Sequence, residues 1–300
     1  MRNYARAQTK GCSMKILAAT DFSTRSNRAL RQAALLAQQD GATLFMVHVV
    51  DDDQPGDLVR MEQREAERIM LEQMSAMPEV RRTQSRPMVI AGDPFDGILR
   101  AAADIHPDLI VMGAHRKQLL LDVFTGTTIE RVIRKGTVPV LMVNREAQRK
   151  YERVLVPTDM SDISANALRT ALSIGLADSA ATMLLHAFTA LAKGKMLGAG
   201  LDQASIDSYV ESERQRASDE LAAFLVANDL QHARWLLRVE EGAPMETISR
   251  AVMETQSDLV IMGIQSRSSI LKALIGSVTE DALRSLNVDV LVVPAAKCES

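Results

Sequence analysis

KILAATDFS at residues 15–23 and RVLVPTDMS at residues 153–161 are two versions of one pattern, and this pattern decides the fold. Each places a short apolar run, typical of a buried strand, directly before a Thr-Asp-x-Ser sequence that is typical of a helix start. Asp21 and Asp159 occupy the same place in the two versions, at a separation of 159 − 21 = 138 residues. The chain therefore carries an internal repeat.

The repeat continues through both halves of the chain. His48 and His186 keep the separation of 186 − 48 = 138, whereas DLIVMG at 108–113 and DLVIMG at 258–263 are separated by 263 − 113 = 150. The second copy thus holds 150 − 138 = 12 additional residues. We expect them in a loop around 190–200, where Gly, Ala and Lys predominate.

Apolar and amphipathic segments alternate within each copy. Strands are predicted in the first copy at 16–19, 44–49, 87–90, 109–112 and 138–143, and helices at 26–39, 63–77, 95–105 and 128–134. Continuous apolar runs such as LIVM suit a parallel sheet that is covered on both faces. The alternation predicts an α/β protein of two tandem doubly wound domains, each a Rossmann-like five-stranded parallel sheet flanked by helices.

The same pattern predicts the domain organisation. The expected segments are a flexible N-terminal extension at 1–13, a first domain at 14–146, a linker at 147–152, a second domain at 153–295 and a tail at 296–300. Below, the first copy means residues 14–146 and the second copy means residues 153–295.

Composition excludes several classes of protein. A net charge of −3 and an aromatic content of 3% disfavour binding to nucleic acid. No run approaches the roughly 20 apolar residues that span a bilayer. Cys12 and Cys298 lie in the two tails without metal-ligand spacing, so we expect no metal site and a reduced, cytoplasmic protein.

Glycine and hydroxyl residues precede the last predicted helix of each copy, at 126–128 and at 276–279. Free backbone N–H groups and the positive end of the helix dipole suit a phosphate there. In an open parallel sheet, ligands bind beyond the carboxyl ends of the strands, where the strand order reverses. Alternatively, these glycines only begin a helix, and Asp21 and Asp159 only cap the helix that follows each of them.

Taken together, these features resemble the universal stress protein family over roughly residues 14–294. Nucleotide-binding members carry Gly-x2-Gly-x9-Gly-Ser/Thr, and here the spacing is kept at 113–127 and 263–277 while the middle glycine is replaced by Arg116 and Ser266. The resemblance implies an adenine nucleotide (ATP, ADP or AMP, with Mg²⁺ as a companion) near these residues: Thr20, Asp21, Val49, Gly113, His115, Arg116, Gly126, Thr127 and Thr128 in the first copy, and Pro157, Thr158, Asp159, Ala187, Met262, Gly263, Ser266, Gly276, Ser277, Val278 and Thr279 in the second.

The residues that replace the middle glycine of the family motif favour the second copy as the nucleotide site. Ser266 is small and can donate a hydrogen bond, and Pro157 keeps the Pro-Thr-Asp form that is common in nucleotide-binding members. Arg116 is either a bidentate phosphate ligand or a solvated surface charge. A branch of the family without nucleotide binding stays open as the alternative.

No residues for rapid turnover are recognisable. A Walker-type loop, paired carboxylates and a nucleophile elbow are all lacking, so the resemblance implies at most the slow ATP hydrolysis or autophosphorylation of some relatives. Two functions follow: a nucleotide-binding stress-response regulator that acts through protein contacts, or a nucleotide-free adaptor. The resemblance also implies an internal pseudo-dimer in which the last strands of the two copies pack face to face, and further association into a homodimer.

Overall fold

The protein is described from a computed structural model, which covers residues 13–114, 127–146, 150–177, 181–231, 234–264 and 275–295. Strands and helices alternate throughout both copies, so the predicted α/β class is confirmed. Within these ranges, no helix combines the length and the apolar composition that crossing a membrane requires.

The first copy contains five strands and five helices in its described part. The strands are β1 (Lys15–Ala19), β2 (Thr43–Val50), β3 (Gln84–Ala91), β4 (Leu109–Gly113) and β5 (Val140–Val143). The helices are α1 (Thr24–Asp40), α2 (Gly56–Ala76), α3 (Pro78–Arg81), α4 (Pro94–Ile105) and α5 (Thr128–Lys135).

The second copy repeats this order. Its strands are β6 (Arg153–Pro157), β7 (Ala181–Phe188), β8 (Leu236–Glu241), β9 (Leu259–Ile264) and β10 (Asp289–Pro294). Its helices are α6 (Asp162–Ser173), α7 (Lys193–Gly198), α8 (Gln203–Ala227), α9 (Pro244–Thr255) and α10 (Ser277–Ser285).

The predicted loop in the insertion is wrong in part, because α7 occupies its centre. Backbone N–H groups of Met196 and Ala199 donate to carbonyl oxygens four residues earlier, at 2.9 Å each. Lys, Met and Leu favour helix, and together they form this one short helix although it contains Gly194 and ends at Gly198.

All strands form one sheet in the order β3-β2-β1-β4-β5-β10-β9-β6-β7-β8. Every neighbouring pair is parallel except β5 and β10. Strand order reverses between β1 and β4 in the first copy and between β6 and β9 in the second. These two places are where a doubly wound sheet binds its ligands.

Two apolar layers cover the faces of the sheet. One lies under α1, α2, α6 and α8, and the other under α4, α5, α9 and α10. Alternate residues of β5 and β10 point into opposite layers: Leu141 and Leu291 into the first, Met142 and Val290 into the second. Each layer therefore runs without interruption from one copy into the other.

The copies meet edge to edge, so the expected face-to-face packing is wrong. Leu141 pairs with its own repeat equivalent, Leu291, in the antiparallel β5–β10 ladder, and a pseudo-two-fold axis passes between them. Face-to-face packing and edge-to-edge pairing would both bury the apolar side chains of β5 and β10. Only pairing also gives hydrogen-bond partners to the N–H and C=O groups at the edges of these strands. Arg134 of α5 adds an ion pair to Glu280 of α10 across the axis, at 3.6 Å.

A buried carboxylate fastens this junction. Asp289 is 3% exposed, and its Oδ1 accepts hydrogen bonds from the backbone N–H groups of Asn144 at 2.8 Å and Arg145 at 3.0 Å. Its Oδ2 accepts one from the buried hydroxyl of Tyr151 at 2.6 Å. Burial raises the pKa of Asp289, and these hydrogen bonds only partly oppose that increase.

Candidate functional site

The Thr-Asp-x-Ser sequences form the same turn at the carboxyl ends of β1 and β6. Ser23 is the N-cap of α1, where its Oγ accepts from the N–H of Ser26 at 3.3 Å, and Ser161 caps α6 in the same way. Asp21 and Asp159 instead accept the N–H of the capping serine on Oδ1, at 3.0 and 3.1 Å. Capping as their only role is therefore wrong, because each aspartate lies two residues ahead of the cap.

The residue between each aspartate and its serine is strained. Phe22 has φ 61° and Met160 has φ 60°, in the left-handed region that residues other than glycine rarely adopt. The buried hydroxyl of Thr20 accepts the N–H of Phe22 at 3.1 Å, and Thr158 does the same for Met160 at 3.0 Å. Phe22 and Met160 are equivalent positions of the repeat, so both copies hold the same strained residue in this turn. Strain of this kind is typical of functional sites.

Two histidines brace these turns from the neighbouring strand. The Nδ1 of half-buried His48 on β2 donates to the carbonyl oxygen of Thr20 at 2.8 Å, and the Nδ1 of His186 on β7 donates to that of Thr158 at 2.9 Å. His48 also stacks on Phe22, with ring centroids 4.2 Å apart. Both histidines therefore position the turn.

Asp21 and Asp159 both carry negative charge at neutral pH. Partial burial raises the pKa of each carboxyl, but hydrogen bonds from the serines that follow outweigh this effect, and the pKa lies below its usual value. The N–H and the hydroxyl of Ser161 both donate to Oδ1 of Asp159, at 3.1 and 2.6 Å. Asp159 is exposed at the end of β6, where a hydrogen-bond donor of a ligand can reach it.

The glycines that end β4 and β9 have a packing function. A Cβ on Gly113 would lie 2.7 Å from the carbonyl carbon of Arg25, and one on Gly263 would lie 2.6 Å from Cγ2 of Ile163. Both obstacles belong to the first turn of the helix that follows the Thr-Asp-x-Ser turn. Glycine thus lets the helix start approach the strand end at the switch point.

The last helices of the two copies begin differently. In α5, Thr127 is the N-cap and its hydroxyl accepts the N–H of Glu130 at 3.2 Å. In α10, the exposed Gly276 is the N-cap, without a side-chain cap among the described residues. A Cβ on Gly276 would meet no atom of the described residues within 4 Å. Within the described part of the chain, the N–H groups of the first turn of α10 therefore have no side-chain cap and can meet an anion.

Several expected ligand residues are placed in the core. Met262 and Thr279 are buried, and the side chain of Val49 packs against Gly97 of α4. Val278 packs at the margin of the same apolar layer. Thr128 and Ser277 are the first residues of their helices, and Ala187 and Pro157 are half-buried at the ends of their strands.

A charge difference at the carboxyl end of the second strand was missed from the sequence. Exposed Asp51, Asp52 and Asp53 follow β2, and their equivalents after β7 are Thr189, Ala190 and Leu191. The signal was the run of three carboxylates at a strand end. It places three negative charges beside the second strand of the first copy, which oppose an anionic ligand and which the second copy lacks at the equivalent positions.

Four of the expected residues lie outside the described ranges: His115, Arg116, Gly126 and Ser266. The middle position of the glycine motif, Arg116 in the first copy and Ser266 in the second, is therefore known from the sequence alone. Within the described ranges, no group of three or more His, Cys, Asp or Glu side chains is placed to hold a metal ion.

Known proteins of one family match both copies of this chain. The model of the universal stress protein family matches residues 13–144 and 150–294. Universal stress protein MJ0577 of Methanocaldococcus jannaschii is 26% identical over 44% of this chain and 95% of its own length. Universal stress protein E of Escherichia coli K12 is 24% identical over 67% of this chain, a match that spans 65% of that protein. A solved universal stress protein from Archaeoglobus fulgidus shares the fold, with a TM-score of 0.67 at 18% identity over 95% of this chain and 99% of its own.

Proposed function

This chain belongs to the universal stress protein family, and we propose that its second copy binds an adenine nucleotide (ATP, ADP or AMP). On this proposal the nucleotide changes which proteins the chain contacts under stress, in the cytoplasm. The family resemblance supplies the ligand class, and the described residues of the second copy supply the reasons to prefer it over the first.

The start of α10 is the observation that carries the proposal. Phosphates bind helix N-termini through free N–H groups and the positive end of the dipole. In α10 the cap is a glycine whose Cβ position has no described atom within 4 Å, and Ser277 follows it in the first turn. In α5 the corresponding hydroxyl, that of Thr127, already accepts a capping hydrogen bond from the N–H of Glu130.

Charge supports the same choice. Nucleotide phosphates carry several negative charges, and the three carboxylates of residues 51–53 would raise the free energy of such a ligand in the first copy. The equivalent positions of the second copy carry no charge. Screening at physiological salt weakens this preference but keeps its sign.

Asp159 would hold the adenine by accepting a hydrogen bond from its exocyclic amine. The low pKa of the carboxyl keeps it an acceptor at neutral pH. The strained turn at Met160 fixes the carboxylate relative to the end of β6. Mg²⁺, when bound with the nucleotide, would neutralise phosphate charge.

The replacement of the middle glycine of the nucleotide-binding motif in both copies favours the alternative function, that of a nucleotide-free adaptor. Arg116 and Ser266 stand where nucleotide-binding members have a residue that allows close backbone approach. The two functions differ in one measurable property, which is binding of nucleotide by the purified chain.

Calorimetric titration of ATP, ADP and AMP into nucleotide-stripped protein tests the proposal. We expect saturable binding at one site per chain, abolished by Asp159→Ala and by Gly276→Val, and retained by the matched control Asp21→Ala. Among the described residues, no atom lies within 4 Å of a Cβ at position 276, so we expect the effect of the valine to report on the ligand. The absence of binding at concentrations that detect a Kd of about 1 mM, or about −4 kcal/mol, would establish the adaptor instead.

A further inference from the structure

The first turn of α10 carries a charge that opposes the ligand proposed above. Glu280 lies in this turn, and its N–H donates to the carbonyl oxygen of Gly276 at 2.9 Å. Its backbone is therefore one helical turn, roughly 6 Å along the axis, from the glycine beside which a phosphate would bind. Like charges at such a separation repel each other. A phosphate at this turn is therefore favoured only when Glu280 has a counter-charge.

Within the described residues, the second copy does not supply this counter-charge from α10 itself. Arg284, one turn after Glu280, forms an ion pair with Asp281 instead. In the first copy the equivalent carboxylate, that of Glu130, forms an ion pair within its own helix, with Arg134. The two copies therefore differ in the origin of the cation that neutralises the carboxylate of the first turn.

Arg134 of the first copy neutralises Glu280 as well. Its guanidinium forms ion pairs with two carboxylates, that of Glu130 in α5 and that of Glu280 in α10, the latter at 3.6 Å. The antiparallel pairing of β5 with β10 permits this contact, because it brings the last turn of α5 to the side of the molecule where α10 begins. The side chains of Arg134 and Glu280 are 29% and 32% exposed, so solvent ions screen this pair only in part.

We propose that Arg134 of the first copy is a positioning residue for the phosphates of a nucleotide in the second copy. It acts through Glu280, whose charge it offsets and whose carboxylate it holds towards α5. This inference rests on the proposed function, because it concerns the same site beside Gly276. It also gives the junction between the copies a role in ligand binding, since a second copy on its own would lack Arg134.

The expected effect grows with the number of phosphate charges on the ligand. Two unit charges roughly 10 Å apart in water change a dissociation constant about twofold. Without the charge of Arg134, the dissociation constant should therefore rise about threefold for AMP and about tenfold for ATP at low salt. High salt should reduce both changes, because screening weakens the repulsion between Glu280 and the phosphates.

Calorimetric titration of AMP, ADP and ATP, without Mg²⁺, into the nucleotide-stripped full chain tests the proposal. Arg134→Gln should weaken ATP binding more than ADP binding, and ADP binding more than AMP binding. The double variant Arg134→Gln/Glu280→Gln restores the net charge of the wild type and should recover ATP affinity to within about twofold. Arg284→Gln is the matched control, because it removes the same charge from a residue that pairs with Asp281. It should change ATP affinity less than about twofold.

Circular dichroism will show whether Arg134→Gln is folded, since it removes an ion-pair partner of the buried Glu130. Glu280→Gln leaves that ion pair intact and provides a second test, because it should tighten ATP binding more than AMP binding. Equal losses of AMP and ATP binding in Arg134→Gln, no recovery in the double variant, or an equal loss in Arg284→Gln overturns this inference alone. A wild-type chain that binds none of the three nucleotides refutes the proposed function and this inference with it.

Discussion

Replacing Tyr151 by Phe tests whether the buried carboxylate at the junction holds the two copies together. The substitution removes one hydroxyl and keeps the ring, so packing at this buried position is preserved. What is lost is the hydrogen bond from the tyrosine hydroxyl to Oδ2 of Asp289, 2.6 Å long. A hydrogen bond to a charged acceptor contributes about 1.5–3 kcal/mol. We expect the free energy of unfolding to fall by that amount.

Urea unfolding, followed by circular dichroism, measures this loss as a shift of the midpoint at unchanged slope. Tyr209→Phe is the matched control, because the hydroxyl of Tyr209 accepts only a backbone N–H, from Ala192 at 3.2 Å. That neutral bond should contribute about 1 kcal/mol or less. An unchanged midpoint for Tyr151→Phe, or equal shifts for both variants, would refute the reasoning that Asp289 fastens the junction.

The remaining predictions concern the same junction and the strand ends. Asp289→Asn should flatten the pH dependence of stability: because burial raises the folded-state pKa of Asp289, its protonated form favours folding, so the wild type should gain on the variant as pH falls from 7 towards 4 in urea titrations. A constant difference over that range would contradict the assignment. Gly263→Ala should lower stability by about 1–3 kcal/mol, because its Cβ would lie 2.8 Å from the carbonyl oxygen of Ile163. Gly276→Ala, where no atom of the described residues lies within 4 Å, should cost less than about 1 kcal/mol by thermal unfolding, and equal losses would argue against the packing role of Gly263.

Matching motifs at constant separation were sufficient to predict the repeat, and the alternation of apolar and amphipathic segments was sufficient to predict the strands and the doubly wound class. Boundaries in polar segments were harder. Helix α2 begins at Gly56, although apolar spacing predicted a start at 63, and edge strand β3 begins at Gln84 although 87 was expected. Exposed turns of a helix and exposed ends of an edge strand carry no apolar pattern. Their boundaries are set by backbone hydrogen bonds, which the apolar pattern does not show.

The candidate site was predictable in its residues but not in their roles. Asp21 and Ser23 are both good capping residues, and only the turn geometry shows that serine caps the helix. Gly113 matched a ligand-binding motif, yet the close approach it permits is to the backbone of Arg25. Contacts between residues distant in sequence decide both cases, and a single sequence does not contain them.

The single antiparallel seam between β5 and β10 sets the direction in which the two copies face. Strands β1 to β5 run one way and β6 to β10 run the other, so the carboxyl ends of the two copies open towards opposite sides of the molecule. A ligand held by Asp21 and one held by Asp159 would therefore be back to back, and no small molecule could bridge them. Sequence changes at one opening leave the other untouched. Duplication with this seam lets one opening retain a ligand while the other evolves a separate use.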